Sequence, residues 1–380
     1  MNREVIVLTS TSSPTSPDEK RLRVGVIGLG YAGTTHLESF RALPGIEVVA
    51  LAGKEEERLA LLAAQHGIPH TYADGEDLIA RDDLDIVSIA TPNVLHDRLA
   101  VAALESGKHV FCEKPLAVTA EGAQAMVDAA TRADRVLEVA FNHRRRADVQ
   151  WVADYLRTEG IGRIYHARAS WKRRAGIPGL RSWFTSPTLA GGGALIDLGP
   201  HIVDTLLHLL DEPRVRTVSA VTHGELGRAG YGAMDRVDQM TSGEGFDVED
   251  LAAALLRLEG GASVALEISW AGHAVDDEDI SIELLGVDGG VRLFIPRYKG
   301  EDTIRVYRDR SGTPLTLAPD VRVAGGEHPL VIAEFVENVR AQREGRPGRD
   351  EAEHHRRLLE RVKIIDACYR SATQGREVEL

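Results

Sequence analysis

The chain has 380 residues, which is long enough for two domains with a sizeable core. Its formal net charge of −13 argues against non-specific nucleic-acid binding and against attachment to an anionic membrane surface. The two cysteines, Cys112 and Cys368, make no disulfide framework, which favours a reducing cytoplasm, and no Cys–His metal cluster is visible in the sequence. We therefore expect a cytoplasmic protein without nucleic-acid, membrane or metal partners.

Strands alternate with helices in the first part of the chain. Residues 1–20 are rich in Ser, Thr and Pro and lack the features of a signal peptide, so we predict a disordered tail. Residues 21–142 predict an α/β domain with a Rossmann-like, doubly wound parallel sheet. The predicted strands are Leu22–Ile27, Ile46–Ala52, Asp85–Ala90, His109–Cys112 and Arg135–Ala140. The predicted helices are Tyr31–Leu43, Lys54–His66, Val94–Ser106 with Asn93 as N-cap, and a helix capped by Thr119 that runs to Arg132.

The pattern changes after residue 142, and residues 143–380 predict an α+β domain with a mostly antiparallel sheet. Strand-like segments occur at Arg163–Ser170, Val215–Thr222, Asp250–Leu258, Ala262–Trp270, Ile280–Gly286, Val291–Ile295 and Thr303–Arg308. After a first helix at Asp148–Glu159, three further helices are expected to cover this sheet, at about His201–Leu210, Pro329–Glu344 and Glu351–Thr373.

A glycine-rich turn follows the first predicted strand and opens a helix. Gly28, Gly30 and Gly33 form the pattern G-x-G-x-x-G. The first glycine allows a tight turn, the second lets a pyrophosphate approach the backbone, and the third lets the helix pack close to the strand. The helix N-terminus offers free N–H groups to phosphate. The turn therefore predicts dinucleotide binding.

The end of the second strand is where a dinucleotide enzyme reads the ribose. NAD enzymes usually have an acidic residue at this position, whereas this chain has Gly53 and Lys54. Lys54, with Arg58 one helical turn later, could attract a 2′-phosphate, which favours NADP over NAD. The alternative is that both cations are solvated residues among the acidic residues Glu55–Glu57.

Polar clusters follow two more predicted strands. Thr91, Pro92 and Asn93 come after one strand, and Glu113-Lys114-Pro115 comes after the next. Ligands of open parallel sheets bind at the carboxyl ends of strands, so the two clusters suggest one site. Lys114 could hydrogen-bond a reacting oxygen and take part in proton transfer. We expect a cis Lys114–Pro115 bond that directs the lysine inward.

A further cluster lies in the second domain, where a run of three glycines precedes Asp197 and His201. If a helix begins near Leu195, these two side chains share one face because they are four residues apart. A carboxylate beside a histidine would orient it and raise its basicity, as a general base for an alcohol requires. The alternative is a capping aspartate and a histidine that fills the core.

Four motifs together resemble the Gfo/Idh/MocA oxidoreductases, from about residue 21 to 345. They are Gly28-x-Gly-x-x-Gly33, Ala90-Thr-Pro-Asn-x-x-His96, Gly107-Lys-His-Val-x-Cys-Glu-Lys-Pro115 and Gly191-Gly-Gly-Ala-Leu-x-Asp-x-Gly-x-His201. The resemblance implies a Rossmann-like cofactor domain, an open second sheet that makes a homodimer or homotetramer, and reversible hydride transfer at a secondary carbinol of a sugar, inositol or related polyol.

By the same resemblance, Lys114, Asp197 and His201 correspond to the family's catalytic lysine, aspartate and acid/base histidine. Gly53-Lys54 departs from the acidic residue that many members have. With those implied by resemblance, the predicted cofactor-binding residues are Gly28, Leu29, Gly30, Tyr31, Ala32, Gly33, Gly53, Lys54, Arg58, Thr91, Pro92, Asn93, His96, Glu113, Lys114 and Asn142.

The segment from Trp171 to Trp183 is the candidate substrate element. Either tryptophan could stack on a sugar ring, and Lys172, Arg173 or Arg181 could bond hydroxyls or an acidic group. The alternative is a basic loop at an oligomer interface. The predicted substrate-binding residues are Lys114, Trp171, Arg173, Trp183, Asp197 and His201.

The leading hypothesis is an NAD(P)-dependent sugar or polyol dehydrogenase. Two other classes use the same fold: a glycoside hydrolase or lyase in which tightly held NAD undergoes only transient reduction, and a cofactor-sensing regulator without catalysis. Fold alone does not choose among them.

Overall fold

The computed structural model describes residues 21–179, 182–234, 245–274, 276–325 and 327–380, so the predicted tail 1–20 lies outside the described residues. Within these ranges, a six-stranded parallel sheet has the order β3-β2-β1-β4-β5-β6. The order reverses between β1 and β4, which places the expected ligand crevice at the carboxyl ends of these strands. The strands are β1 Leu22–Ile27, β2 Ile46–Ala52, β3 His70–Tyr72, β4 Ile86–Ile89, β5 His109–Cys112 and β6 Leu137–Val139.

Helices connect these strands, at α1 Tyr31–Ala42, α2 Glu56–His66, α3 Gly75–Ile79, α4 His96–Glu105 and α5 Ala120–Ala133. Thr119 is confirmed as an N-cap, because its Oγ1 accepts the Gly122 N–H at 3.1 Å. The prediction that Asn93 caps α4 is wrong. A 3-10 turn at Asn93–Leu95 precedes that helix, and the Asn93 side chain instead donates to the Ala190 carbonyl at 2.8 Å.

The second sheet has nine strands in the described part of the chain, in the order β14-β13-β12-β11-β7-β10-β9-β8-β15. It is antiparallel except for the parallel pair of β7 and β10. The strands are β7 Ile164–Arg173, β8 Val215–His223, β9 Leu251–Leu258, β10 Ser263–Ser269, β11 Glu278–Gly286, β12 Gly289–Pro296, β13 Ile304–Arg310, β14 Thr313–Leu317 and β15 Val378–Glu379.

The remaining helices are α6 Ala147–Thr158, α7 Pro187–Ala190, α8 Ala194–Leu209, α9 Glu225–Arg228, α10 Glu327–Arg343 and α11 Glu351–Gln374. Helix α8 is apolar on nearly all sides and is correspondingly buried. The prediction that α10 covers the second sheet is wrong, because Ile332 and Phe335 pack in one core with Val24 of β1. Helix α11 packs on both halves, with Leu358 in the first core and Ile365 in the second.

The second sheet presents one face to the helices and leaves the other open. Along β7, Ala167, Ala169 and Trp171 are at most 2% exposed and pack inward. Exposed apolar side chains such as Val221 of β8 and Leu255 of β9 lie on the open face.

Among the described residues, no helix is both long and apolar enough to cross a membrane.

Candidate functional site

The glycine turn has the geometry that a phosphate cradle needs. Gly28 has a φ of +95°, and a Cβ there would lie 2.1 Å from the Ala90 carbonyl oxygen. A Cβ on Gly33 would lie 1.9 Å from the Gly28 oxygen, so this approach also requires glycine. At Gly30, by contrast, no described atom lies within 4 Å of a Cβ, and no described side chain caps α1. The helix N-terminus therefore faces open space that suits an anionic group.

Side chains beside this turn point in different directions. Leu29 is 3% exposed and packs so closely on Gly53 that a Cβ there would lie 2.6 Å from Leu29 Cδ1. Tyr31 is 83% exposed at the start of α1, followed by Ala32. Leu29 thus contributes its backbone to the turn while its side chain belongs to the core.

Two cations occupy the end of β2, as the sequence predicts. Lys54 forms an ion pair with Asp74, which follows β3, and both side chains are largely exposed. Arg58 donates to the Leu29 carbonyl and to Thr34 Oγ1, the latter at 3.1 Å. The carboxylate of Asp74 at this position was not predicted, because it follows a three-residue strand that the sequence pattern does not reveal.

The loops after β4 and β5 are joined by a buried histidine. His96 lies with Nδ1 2.8 Å from the Pro115 carbonyl oxygen and Nε2 3.0 Å from the Thr91 carbonyl oxygen. Pro92 lies between Thr91 and the turn that starts at Asn93. The His96 ring therefore supports both loops from within rather than facing the crevice.

The Lys114–Pro115 peptide bond is cis, as predicted. The Glu113 carboxylate is buried and hydrogen-bonded within the protein. Its Oε1 lies 3.0 Å from His36 Nε2, and its Oε2 accepts the Lys114 N–H. Burial raises the pKa of Glu113, but the His36 hydrogen bond and nearby cationic groups lower it to about 2. Glu113 thus fixes the backbone at Lys114. His36 has no sequence signal beyond its place on α1.

Lys114 and Asp197 meet at the carboxyl edge of the first sheet. Lys114 Nζ donates to Asp197 Oδ1 at 2.7 Å and to the Asp197 carbonyl at 2.9 Å. Trp270 Nε1 donates to the other carboxylate oxygen at 2.8 Å. Burial raises the pKa of Asp197, but Lys114 and Arg173 outweigh it and leave the pKa below its usual value. The Asp197 carboxylate is therefore ionised, and its hydrogen bonds hold it and Lys114 in one orientation.

His201 lies on the same helix, four residues after Asp197, as predicted. The expected contact of the carboxylate with His201 gives way to other hydrogen bonds, because the two Asp197 carboxylate oxygens accept from Lys114 and Trp270. The His201 ring stacks on His143 at a centroid distance of 4.6 Å. Burial, and then Lys114 and His143, hold the pKa of His201 well below its usual value. His201 is accordingly a neutral imidazole, not the carboxylate-assisted base that the spacing suggested.

Other parts of the protein pack closely against the glycine run before α8. A Cβ on Gly193 would lie 2.0 Å from the Glu249 carbonyl oxygen, and one on Gly192 would lie 2.0 Å from the Tyr369 hydroxyl. The buried Glu249 carboxylate accepts the N–H groups of Gly193 and Leu195 at 2.9 Å and the Tyr369 hydroxyl at 2.8 Å. Glu249 therefore caps α8, which carries both Asp197 and His201. No sequence motif pointed to this residue.

The predicted substrate segment is partly inside the protein. Trp171 is on β7, 2% exposed, and its Nε1 donates to Glu278 at 2.7 Å. Its ring packs against His143 at 5.0 Å, so the prediction that it stacks directly on a sugar is wrong. Arg173 also bonds Glu278, at 2.6 Å.

The other tryptophan of that segment lies in a short turn. Trp183 begins a 3-10 turn, Trp183–Thr185, and its ring contact in the described structure is with Phe184 at 3.8 Å. Arg181 lies outside the described residues.

Three buried polar atoms around this crevice have no hydrogen-bond partner in the described part of the chain. They are Thr91 Oγ1, Asn142 Oδ1 and His201 Nδ1. Buried polar groups are normally paired, so such atoms call for an explanation. Asn142 Nδ2 lies 3.3 Å from His328 Nδ1, a partner from α10 that the sequence did not suggest. Together with the open space at Gly30, these atoms fit a polar, phosphate-bearing ligand.

The fold and this site define an NAD-binding oxidoreductase of the Rossmann type. Residues 22–141 match the model of the oxidoreductase family with an NAD-binding Rossmann fold, and residues 149–292 match the GFO/IDH/MocA C-terminal domain. The chain belongs to the Gfo/Idh/MocA family. It is therefore an NAD(P)-dependent oxidoreductase.

Individual relatives agree with this assignment. The chain is similar to D-glucoside 3-dehydrogenase of Escherichia coli, with 29% identity over 97% of this chain and 99% of that protein. It is also similar to levoglucosan dehydrogenase of Pseudarthrobacter phenanthrenivorans, with 34% identity over 65% of this chain and 67% of that protein. A solved structure of levoglucosan dehydrogenase in complex with NADH superposes with a TM-score of 0.77 at 27% identity, over 94% of this chain and 99% of that one.

Proposed function

We propose that this oxidoreductase transfers a hydride between nicotinamide and the secondary carbinol carbon of a ring sugar, inositol or related polyol. The observation that carries the proposal is the convergence of the Lys114–Asp197 salt bridge, at 2.7 Å, with a neutral His201 at the crevice of the first sheet. Similarity to dehydrogenases named for a D-glucoside and for levoglucosan supports a sugar substrate.

The proposed residue roles follow from the charge of each group. The bound nicotinamide would supply the hydride acceptor. His201, as a neutral imidazole, accepts the hydroxyl proton of the substrate, and Lys114 donates a hydrogen bond to the same oxygen. Asp197, fixed by Trp270, orients Lys114. In the reverse direction His201 returns the proton to the carbonyl oxygen.

The proposed cofactor site uses the backbone more than side chains. The turn from Gly28 to Gly33 would hold the pyrophosphate at the N-terminus of α1. The unpartnered Thr91 and Asn142 oxygens would take polar groups on the nicotinamide side. Asn93, His96 and Glu113 would act through the positions of the loops. These assignments retain the sequence prediction while changing how the last three residues contribute.

The choice between NADP and NAD depends on the end of β2. Lys54 and Arg58 are two cations at this point, which supports the proposed preference for NADP. Asp74 supports NAD instead, because its carboxylate forms an ion pair with Lys54 and would repel a 2′-phosphate. We keep NADP as the proposal, with Lys54 as the residue that decides it.

The first experiment is the formation of reduced nicotinamide, followed by absorbance with NAD⁺ and NADP⁺ in parallel. The panel comprises methyl glucosides, levoglucosan, inositols, hexoses and sugar acids. Lys114→Ala and His201→Ala should each lower turnover by about 10²- to 10⁴-fold while cofactor binding persists. Lys363→Ala, which removes an exposed lysine of α11, is the matched control and should change neither.

Other outcomes would identify the competing classes. Glycoside cleavage without accumulation of reduced cofactor would indicate a redox-neutral hydrolase or lyase. Cofactor binding without turnover, and with the biological activity unaffected by Lys114→Ala, would indicate a sensor. Near-normal turnover in both variants would refute the proposed catalytic roles.

The open face of the second sheet supports a proposed homodimer or homotetramer. Val221 and Leu255 are 52% and 42% exposed there. Apolar side chains on a sheet face favour burial against a partner. Light scattering of the purified chain, with Leu255→Lys as the disrupting variant, tests this proposal.

A further inference from the structure

An unassigned tyrosine lies in the loop between β12 and β13. Tyr298 and the preceding Arg297 have φ values of +52° and +51°, a region that L-residues rarely adopt. The loop is fixed on both sides of them: the Arg297 N–H donates to the Glu278 carbonyl at 2.7 Å, and the Lys299 N–H donates to the Pro296 carbonyl at 2.9 Å. Such conformations cluster at ligand sites, where the surrounding structure holds them in place.

This loop conformation directs the Tyr298 ring to the aromatic group behind His201. Its ring makes edge-to-face contacts with His143 and Trp171, at centroid distances of 5.9 Å and 5.7 Å. His143 in turn stacks on His201 at 4.6 Å. Of these aromatic side chains, Trp171 is buried at 2% exposure, whereas Tyr298 is 43% exposed. Tyr298 is therefore the side chain of this group that offers a ring surface to a ligand.

The polar end of Tyr298 lies among the charged groups of the site. Although part of the ring is exposed, burial of the hydroxyl and the nearby Glu278 carboxylate raise its pKa, while Arg173 acts in the opposite direction. The negative charge of Asp197 also raises the pKa of this hydroxyl. Since it stays protonated, the hydroxyl can both donate and accept a hydrogen bond.

We propose that Tyr298 is a substrate-binding residue, whose ring contacts the apolar face of a six-membered ring sugar and whose hydroxyl, beside Arg173, hydrogen-bonds a ring hydroxyl. This inference rests on the proposed function, because it names a contact of the same substrate. In this role Tyr298 replaces Trp171, one of the two tryptophans that the sequence suggested could stack on a sugar ring. A ring with one apolar face and several hydroxyls matches this arrangement of an aromatic surface beside polar groups.

The test is steady-state kinetics of the full chain with methyl β-D-glucopyranoside and with levoglucosan as probes. Tyr298→Ala removes the aromatic ring, and Tyr298→Phe removes only the hydroxyl. Tyr307→Ala on β13 is the matched control, because that tyrosine is similarly exposed at 42%. Cofactor affinity is measured separately by titration of reduced-nicotinamide fluorescence.

We expect Tyr298→Ala to raise KM about tenfold, the scale of one lost aromatic contact, with a smaller change in kcat. Tyr298→Phe should lie between that variant and the unmodified chain, and cofactor affinity should not change. An unchanged KM in both Tyr298 variants would overturn the inference, as would a rise in KM that only follows weakened cofactor binding. If Tyr298→Ala fails to fold, Tyr298→Phe decides alone. Absence of turnover in the unmodified chain would instead overturn the proposed function itself.

Discussion

The cap on α8 allows a direct test of how the proposed catalytic side chains are positioned. Glu249 is buried, yet it accepts hydrogen bonds from Gly193, Leu195 and Tyr369. It is the group that satisfies the N–H groups at the start of the helix that carries Asp197. Replacing Glu249 by alanine should therefore reduce both stability and turnover.

The magnitude follows from the three donors that lose their acceptor. A buried donor left unpaired costs about 1–3 kcal/mol, so the sum begins at about 3 kcal/mol. Some of this loss is offset, because burial raises the pKa of Glu249 and makes the charged carboxylate unfavourable in the folded state. We expect Glu249→Ala to lower the free energy of unfolding by about 3–5 kcal/mol. A displacement of α8 by an ångström would lower turnover by about 100-fold.

Urea unfolding followed by tryptophan fluorescence gives the stability, and formation of reduced nicotinamide gives the turnover. Tyr369→Phe is the control, because it removes one of the three donors together with its need for an acceptor and should cost about 1 kcal/mol. Glu249→Gln keeps one oxygen acceptor and should fall between the two. If Glu249→Ala were no less stable than Tyr369→Phe and retained full turnover, the positioning role would be refuted.

Three further changes test other parts of the site. Gly30→Val should abolish cofactor binding, measured by fluorescence titration, because its side chain would fill the open space at the start of α1; retained binding would mean that the cradle lies elsewhere. Lys54→Asp should shift the ratio of kcat/KM from NADP⁺ toward NAD⁺, and an unchanged ratio would show that the ribose is read by other residues. The pKa of Glu113 falls from 4.5 to about 2 on folding, so its contribution to stability is complete above pH 4.5 and is lost as pH falls toward 2. Glu113→Gln should accordingly flatten the acid side of the stability curve, measured by urea unfolding between pH 2 and 7; an unaltered acid side would contradict the His36–Glu113 interaction.

The first sheet could be predicted closely because its strands are short apolar runs that end in turn residues. The observed bounds of β2, Ile46–Ala52, and β5, His109–Cys112, agree with the prediction to the residue. Other strands carry too little pattern. β14 is exposed at all five positions, and β15 has two residues, so neither shows the alternation that reveals a half-buried strand.

The contacts between distant residues could not be predicted in the same way. His36 and Glu113 are 77 positions apart, and no spacing rule connects them. His143 and Tyr298 come from separate turns and meet only when the second sheet folds. The reason is general: helical and strand periodicities describe which residues share a face, not which faces meet.

The spacing of Asp197 and His201 shows why this distinction affects the chemistry. Four residues on a helix bring two side chains near each other, and the sequence suggested a carboxylate that raises the basicity of the histidine. Such a bond would raise the pKa of the histidine and stabilise the imidazolium that forms when it accepts a proton. The structure instead gives the carboxylate to Lys114, and it places His201 in a buried stack with His143. The lysine that we propose to polarise the oxygen is thereby held by a carboxylate, while the proposed proton acceptor lies in surroundings that keep it neutral. A neutral His201 is in the form that can accept a proton from an alcohol, but its burial and the nearby Lys114 cation also make it a weaker base than a carboxylate-bonded histidine would be.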